Sequence, residues 1–237
     1  MCQERHNNAI LEIRPAAGGA EASLFATELL KMYIAWAQNS NYKIEMLDDL
    51  SIMIIGSGAF EKLKYESGVH RVQRVPQTET QGRIHTSTVT VAVLPEATHV
   101  NFQINDRDLK IDVYRASGAG GQHVNRTESA VRITHLPTNT VVTCQENRSQ
   151  IQNRARAMLV LQSKLVEYYQ NLENSKRSSD RKTQIGTGDR SEKIRTYNFP
   201  QDRVTDHRIN FSLHNLPRVL CGKIDALLSN LQSQCNQ

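Results

Sequence analysis

Between Glu21 and Trp36 the apolar residues Leu24, Phe25, Leu29, Met32, Tyr33 and Trp36 recur at three- and four-residue spacing, the period of one helix face. A stripe that carries such large aromatic and aliphatic groups has to be covered, and the runs around it are short and β-like. Ile10 to Arg14 reads as a strand broken at Pro15, and Tyr42 to Leu47 alternates weakly. Ser51 to Ile55 is a third apolar run, ended by Gly56-Ser57-Gly58, and Ala59 to Tyr65 suits a short helix. Ser67 to Pro76 is basic and turn-like at its ends, whereas Thr86 to Leu94, rich in Val and Thr, is the clearest strand of this half. Helices laid over strands without regular βαβ units predict an α+β fold, with mixed or antiparallel sheets and packed helices.

The pattern weakens from Pro95 to Asp106, which marks a junction. Beyond it Leu109, Ile111 and Val113 alternate with Lys110, Asp112 and Tyr114, the pattern of a half-buried strand. Ala130 to Leu136 and Thr140 to Cys144 form a hairpin around Pro137-Thr138-Asn139. A long helix is expected from Ser149 to Asn174, with Ile151, Ala155, Met158, Leu165, Tyr169 and Leu172 as its apolar stripe. Ser175 to Arg195, polar and basic with Gly186 and Gly188, reads as a flexible connector. A strand-and-helix segment follows from Tyr197 to Leu231. The expected division is 1–105, 106–180 and 181–237, the last packing back on the first.

The 237 residues suffice for one large or two modest cores, and no apolar run approaches the roughly 20 residues of a membrane span. The polar start, Met1 to Asn8, offers no secretory signal. Cys2, Cys144, Cys221 and Cys235 stand far apart, with no CxxC and no His at ligand spacing; a reducing compartment and no metal are expected. Charge is uneven: residues 1–105 sum to −2 and residues 106–237 to +7, a surplus that suits a polyanion partner.

Ser117-Gly118-Ala119-Gly120-Gly121-Gln122-His123 follows a strand, so two phosphate loops must be weighed. A dinucleotide fingerprint wants a third glycine, where His123 stands, and a helix directly behind it. A P-loop wants Gly-Lys-Ser/Thr, which is absent. What remains is a glycine loop able to bring its main chain against a crowded partner and to place one neutral amide side chain there. His123 reads as a loop histidine rather than a base. Asp206-His207 resembles a catalytic pair, but neighbours on a strand point to opposite faces. With Arg203 and Arg208 they read as structural or RNA-contacting, and Trp36 and Tyr33 as core.

Gly118-Ala119-Gly120-Gly121-Gln122-His123-Val124-Asn125 resembles the signature of class I peptide chain release factors of bacteria and organelles. Arg74-Val75-Pro76-Gln77-Thr78-Glu79 with Gln81-Gly82-Arg83-Ile84-His85-Thr86-Ser87 is similar to the stop-codon-reading segment of the type specific for UAA and UAG. The sister type, reading UAA and UGA, has Ser-Pro-Phe in place of Pro-x-Thr. Gly186 to Ser191, Arg195 to Gln201 and Arg203 to Arg208 resemble the segment that links the catalytic and decoding parts. The likeness runs from about Asn8 to Leu228.

The resemblance implies a translation termination factor, not an enzyme in its own right, that promotes hydrolysis of the peptidyl-tRNA ester within the ribosome. Gly120 and Gly121 permit a turn that offers the Gln122 backbone N–H to the developing negative charge. The Gln122 side chain helps exclude nucleophiles other than water and is the expected site of N5-methylation by a glutamine methyltransferase. Thr78, within Pro76-Gln77-Thr78, reads the leading bases; His85 stacks on an unstacked base; Gln73 and Thr86 read the third position. Gly18 and Glu21 match helix N-terminal positions that contact the first uracil, and Ala20 departs from the usual Asp. Implied partners are the ribosome (decoding and peptidyl transferase centres), an mRNA stop codon and P-site peptidyl-tRNA. A monomer is expected, with no cofactor, no metal and no membrane, in bacterial cytoplasm or an organelle matrix. Family members begin with a further helical domain absent from this chain, and codon-dependent release is expected without it. Two other readings stay open. A rescue hydrolase would share the Gly-Gly-Gln loop but lack Pro-x-Thr and end in a basic tail, whereas Ser229 to Gln237 holds no Lys or Arg. A silent RNA-binding regulator would be indifferent to changes at Gly121 or Gln122.

Overall fold

The computed structural model describes residues 8–76, 79–96, 104–117 and 126–235. It divides into two compact units, one of Met1–Thr98 with Arg177–Gln237, the other His99–Lys176. The division falls seven residues before the expected junction at 105/106, three residues past the end of the strand that stops at Pro95.

The first unit holds an eight-stranded sheet in the order β11-β10-β9-β4-β5-β1-β3-β2. Its strands are β1 (Ala9–Pro15), β2 (Lys43–Asp48), β3 (Ser51–Ile55), β4 (Gly68–Arg74), β5 (His85–Pro95), β9 (Lys193–Asn198), β10 (Arg203–Asp206) and β11 (Phe211–His214). Neighbours run antiparallel except β4 and β9, which pair in parallel. The basic run 67–76, read from sequence only as turn-like at its ends, is thus an interior strand. Its Arg71 and Arg74 hide the β signal because their guanidinium groups are tied to Thr196 and to Glu21 and Glu28.

Helix α1 (Ala20–Asn39) covers one face, burying Phe25, Leu29, Met32, Tyr33 and Trp36 against Leu11, Ile13, Ile52, Ile54, Val89 and Val91. Leu24, at the rim of the predicted stripe, is exposed. A short α2 (Ala59–Leu63) follows β3, and α4 (Leu216–Leu220) and α5 (Asp225–Cys235) close the chain against α1. Gly222, at φ +89°, makes that closure possible: a Cβ there would stand 2.5 Å from the Trp36 nitrogen. The Trp36 indole N–H donates to Asp225 at 2.9 Å.

Under α1 lies a charged cluster in which Glu66, Arg195 and Asp206 are fully buried. Arg195 on β9 donates both terminal nitrogens to Glu66, at 2.5 and 2.6 Å, and reaches Asp206 at 3.2 Å. Arg208 clamps Asp206 from the other side at 2.7 Å, and Tyr33 donates to Glu66 at 2.8 Å. Burial pushes the Glu66 carboxyl up, but the Arg195 charge and hydrogen bonds outweigh it and hold Glu66 below the ordinary carboxylate value. His70 sits beside them, its Nε2 2.9 Å from the Glu66 carbonyl, which can only accept. Nε2 therefore carries the proton, and Nδ1 accepts from the Tyr197 hydroxyl at 3.4 Å.

Burial and then the Arg195 charge lower the His70 pKa to about 4. The unfolded chain takes up a proton below about 6.5, the ordinary histidine value, while the folded protein stays neutral there down to about 4. This contribution is complete above pH 6.5 and is lost as pH falls through the window to 4, with a slope of at most about 1.4 kcal/mol per pH unit. Urea melts across that range should show the slope, and His70→Gln should remove one proton's share of it.

In the second unit β6 (Leu109–Tyr114), β7 (Ala130–His135) and β8 (Thr140–Cys144) form an antiparallel sheet. The N-terminal part of α3 (Gln150–Ile185) packs on it. The buried stripe is Asn153, Ala157, Leu161 and Leu165; of the stripe read from sequence, Leu165 belongs to it and Met158 packs beside it, whereas Ile151 is 81% exposed. Hydropathy misses this register because its first member is polar. Asn153 is buried for its hydrogen bonds, donating to the Ser129 and Asn147 carbonyls and accepting from the Asn147 N–H. The expected connector from 175 is also corrected, since α3 continues to Ile185. There Arg181 bonds Glu12, and Gln184 both donates to and accepts from the Val93 backbone, so polar side chains anchor a helix without an apolar stripe.

Candidate functional site

Beyond Pro15 the chain stays tied to β5: the Ala16 N–H donates to the Thr88 carbonyl at 2.9 Å, and the Thr88 N–H to that of Ala17 at 2.7 Å. The Thr88 hydroxyl donates to the Gly188 carbonyl at 3.0 Å and accepts from the Ala17 N–H, pinning the 186–191 segment to the same corner. Gly18 then passes so close to β5, at φ +133°, that a Cβ would lie 2.3 Å from the Ser87 hydroxyl oxygen. Gly19, at φ +60°, occupies the position before α1 and supplies no side-chain cap, nor does Ala20. Gly18→Ala should cost about 2 kcal/mol, backbone strain added to the clash. Gly19→Ala, with nothing within 4 Å of its Cβ, should cost about half as much. Paired urea melts check the order.

Glu21 lies in the first turn of α1 and is buried. One carboxylate oxygen accepts from the Arg74 Nε at 2.5 Å; the other, Oε2, is buried with no hydrogen-bond partner among the described residues. Arg74 donates also to Glu28 at 2.6 Å and lies 4.9 Å from the Phe199 ring centroid. The β4–β5 register sets Gln73 opposite Thr86 and Arg74 opposite His85. Strand alternation puts the first pair on one face and the second on the other, toward Glu21. Gln73 accepts from the Asn198 side chain at 3.4 Å, and its carbonyl from the Phe199 N–H at 3.0 Å. Pro76 is buried and its carbonyl accepts from the Glu79 N–H at 3.1 Å. His85, half exposed, meets the Glu79 carboxylate at 2.6 Å; hydrogen bonding from the Gln81 N–H and then from His85 holds Glu79 below its usual value.

Gly18, Glu21, Gln73, Pro76, His85 and Thr86 therefore gather at one end of the β4–β5 pair. Gln77, Thr78, Gly120, Gly121, Gln122 and His123 lie outside the described residues. Sequence reasoning gave no role to Arg74, Glu28, Glu79 or Asn198. For Glu28 a signal existed, because it follows Glu21 by seven residues and so shares its helix face. Asp206 and His207 do not form a catalytic pair: Asp206 is buried between two arginines, and His207 lies 2.7 Å from the Thr196 hydroxyl. Among the described residues no cluster suits a metal ion, and no helix is long and apolar enough to cross a membrane.

Residues 2–91 match the model of the PCRF domain and residues 98–208 that of the RF-1 domain. Peptide chain release factor 1 of Acidiphilium cryptum is 59% identical over 236 residues, covering 95% of this chain and 67% of the relative. The chain belongs to the peptide chain release factor 1 family. Peptide chain release factor 1 of Gluconacetobacter diazotrophicus is 60% identical over 94% of this chain and 66% of its own length. That of Caldicellulosiruptor bescii is 56% identical over 96% and 68%. Among solved structures, RF2 of Thermus thermophilus matches with a TM-score of 0.59 and 37% identity, over all of this chain and 71% of that one. The α+β architecture is thus that of a class I release factor, and the chain spans about two thirds of its relatives' length.

Proposed function

We propose that this chain acts in translation termination at both ends of the reaction, reading UAA and UAG in the ribosomal A site and triggering peptidyl-tRNA hydrolysis. The observation that carries this is that Gly18, Glu21, Gln73, His85 and Thr86 all lie at the Pro76 end of the β4–β5 pair, Glu21 and His85 toward one face and Gln73 and Thr86 toward the other, in a chain of this family. Glu21 holds a buried carboxylate oxygen that has no partner among the described residues, an acceptor suited to a donor edge such as that of the first base. Gln73 and Thr86 stand side by side as amide and hydroxyl for the third base, and His85 presents a half-exposed ring for stacking. Thr78, two residues past Pro76, reads the leading bases.

Hydrolysis falls to Gly120, Gly121 and Gln122. Uncoupled from any protein base, the Gln122 backbone N–H stabilises the oxyanion formed as water attacks the ester carbonyl. The chain is then a factor whose chemistry exists only inside the ribosome, with P-site peptidyl-tRNA as substrate and a glutamine methyltransferase as its modifier at Gln122. Codon-programmed ribosomes carrying labelled peptidyl-tRNA test the reading. Release is expected on UAA and UAG but not on UGA or a sense codon; equal release on all four would assign the chain to ribosome rescue instead.

A further inference from the structure

Away from the codon-facing end, the C-terminal part of the first unit encloses a cavity of about 340 Å³, open to solvent. Leu213, Val219 and Ala226 give it an apolar floor. Its rim carries His214 from β11, Arg218 from α4 and Lys223 from the turn before α5. Among the described residues none of these three side chains pairs with a carboxylate. The one acid at the rim, Asp225, is engaged by the Trp36 indole N–H. Directly across the ladder from His214 stands Arg203, whose Nε is buried without an acceptor among the described residues and whose side chain donates to the Gln201 amide oxygen. Arg203 is not among the residues that line the cavity; as the cross-strand neighbour of His214, about 5 Å away, it adds positive potential beside it.

His214, Arg218 and Lys223, from three segments, thus line one concavity in which Asp225 is the single acid, and among the described residues none of the three is paired with it. Gathering like charges costs free energy unless an external anion offsets it. The rim suits a phosphodiester, and the apolar floor suits the ribose or base attached to it, in a cavity of nucleotide size.

We propose that this cavity seats one nucleotide of an RNA strand, its phosphate held by Arg218 and Lys223 and its sugar or base lying on Leu213, Val219 and Ala226. The partner is RNA, and the site is separate from the residues that read the codon. The inference draws on the termination reading only for the presence of RNA in the protein's surroundings, and it is tested without ribosomes. Arg218 and Lys223 are exposed, so Arg218→Gln/Lys223→Gln leaves the fold intact.

Binding of a short single-stranded RNA to the intact chain, followed by fluorescence anisotropy from 50 to 200 mM salt, should weaken about tenfold in this double variant. Its salt slope should become shallower by about 0.7, one single-strand phosphate contact. Lys31→Gln/Lys43→Gln removes the same charge from exposed positions elsewhere and should leave affinity near wild type. An equal loss in both variants would reduce the effect to overall charge and overturn the proposal. Inorganic phosphate and a nucleoside monophosphate are the competitors. If either displaces RNA at equimolar concentration the cavity is a free-anion site, and if the double variant binds RNA like wild type the cavity is not an RNA site. Either result overturns the proposal. Failure of codon-specific release with the double variant still impaired in RNA binding would instead count against the termination reading alone.

Discussion

Arg195→Met is expected to destabilise the first unit by about 4 kcal/mol, the usual cost of removing one partner from a buried ion pair. Arg195 is fully buried, with both terminal nitrogens on Glu66 and a further contact to Asp206. Without it Asp206 keeps Arg208, but among the described residues Glu66 keeps only the Tyr33 hydroxyl as a side-chain donor. A buried carboxylate so placed takes up a proton, and this gives the prediction a signature in pH. In the wild type Glu66 titrates below the ordinary carboxylate value, so its contribution is present above that value and lost in acid. In the variant burial acts unopposed and raises the Glu66 pKa. The stability gap between the two proteins should therefore be widest near neutrality and narrow as pH falls toward 4. Urea melts at several pH values measure it. A gap below about 1 kcal/mol at pH 7 would mean that the cluster tolerates an unpaired Glu66.

Gly121→Ala should lower the rate of peptide release by about 10²- to 10³-fold, the size of losing one oxyanion donor. In the proposed mechanism a methyl group at Gly121 restricts the backbone just before Gln122, and so misdirects the N–H assigned to the tetrahedral oxyanion. This interaction exists only in the transition state. Affinity for stop-programmed ribosomes should therefore stay as it was while the rate at saturating factor falls. Release that survives intact would remove the Gly-Gly-Gln loop from the chemistry. Weaker binding in proportion to the slower release would make the loop a docking element.

How far the sequence disclosed these features varied with the kind of interaction that holds them. Elements held by apolar packing were legible: the face of α1 with Phe25, Leu29 and Trp36, the strand through Val89 and Val91, and the hairpin around Asn139, where φ is +52°. Elements held by polar contacts were not. Strand β4 hides behind Arg71 and Arg74, the register of α3 hangs on Asn153, and its C-terminal turns rest on Arg181 and Gln184. Hydropathy carries no trace of a partner that lies more than a hundred positions away, as Thr196 does from Arg71. The same holds at the candidate site. Motifs pointed to Gly18, Glu21, Gln73, His85 and Thr86, each present in a recognisable word of the sequence. Arg74, which fixes Glu21 and Glu28 to the β4–β5 corner, sits in one of those words but owes its role to α1 and to Phe199.

The parallel pairing of β4 with β9 bears on how the chain comes to be made. Synthesis runs from the N-terminus, and β4 is complete some 120 residues before β9 leaves the exit tunnel. Residues 99–176, by contrast, form an uninterrupted stretch that holds its own core. The second unit should thus mature while the nascent chain is still growing. One edge of β4 must meanwhile wait uncovered for the last sixty residues, as does the charge of Glu66 for Arg195. A polypeptide stalled before residue 193 would present that edge to other chains, and quality control would meet it as an unfinished sheet.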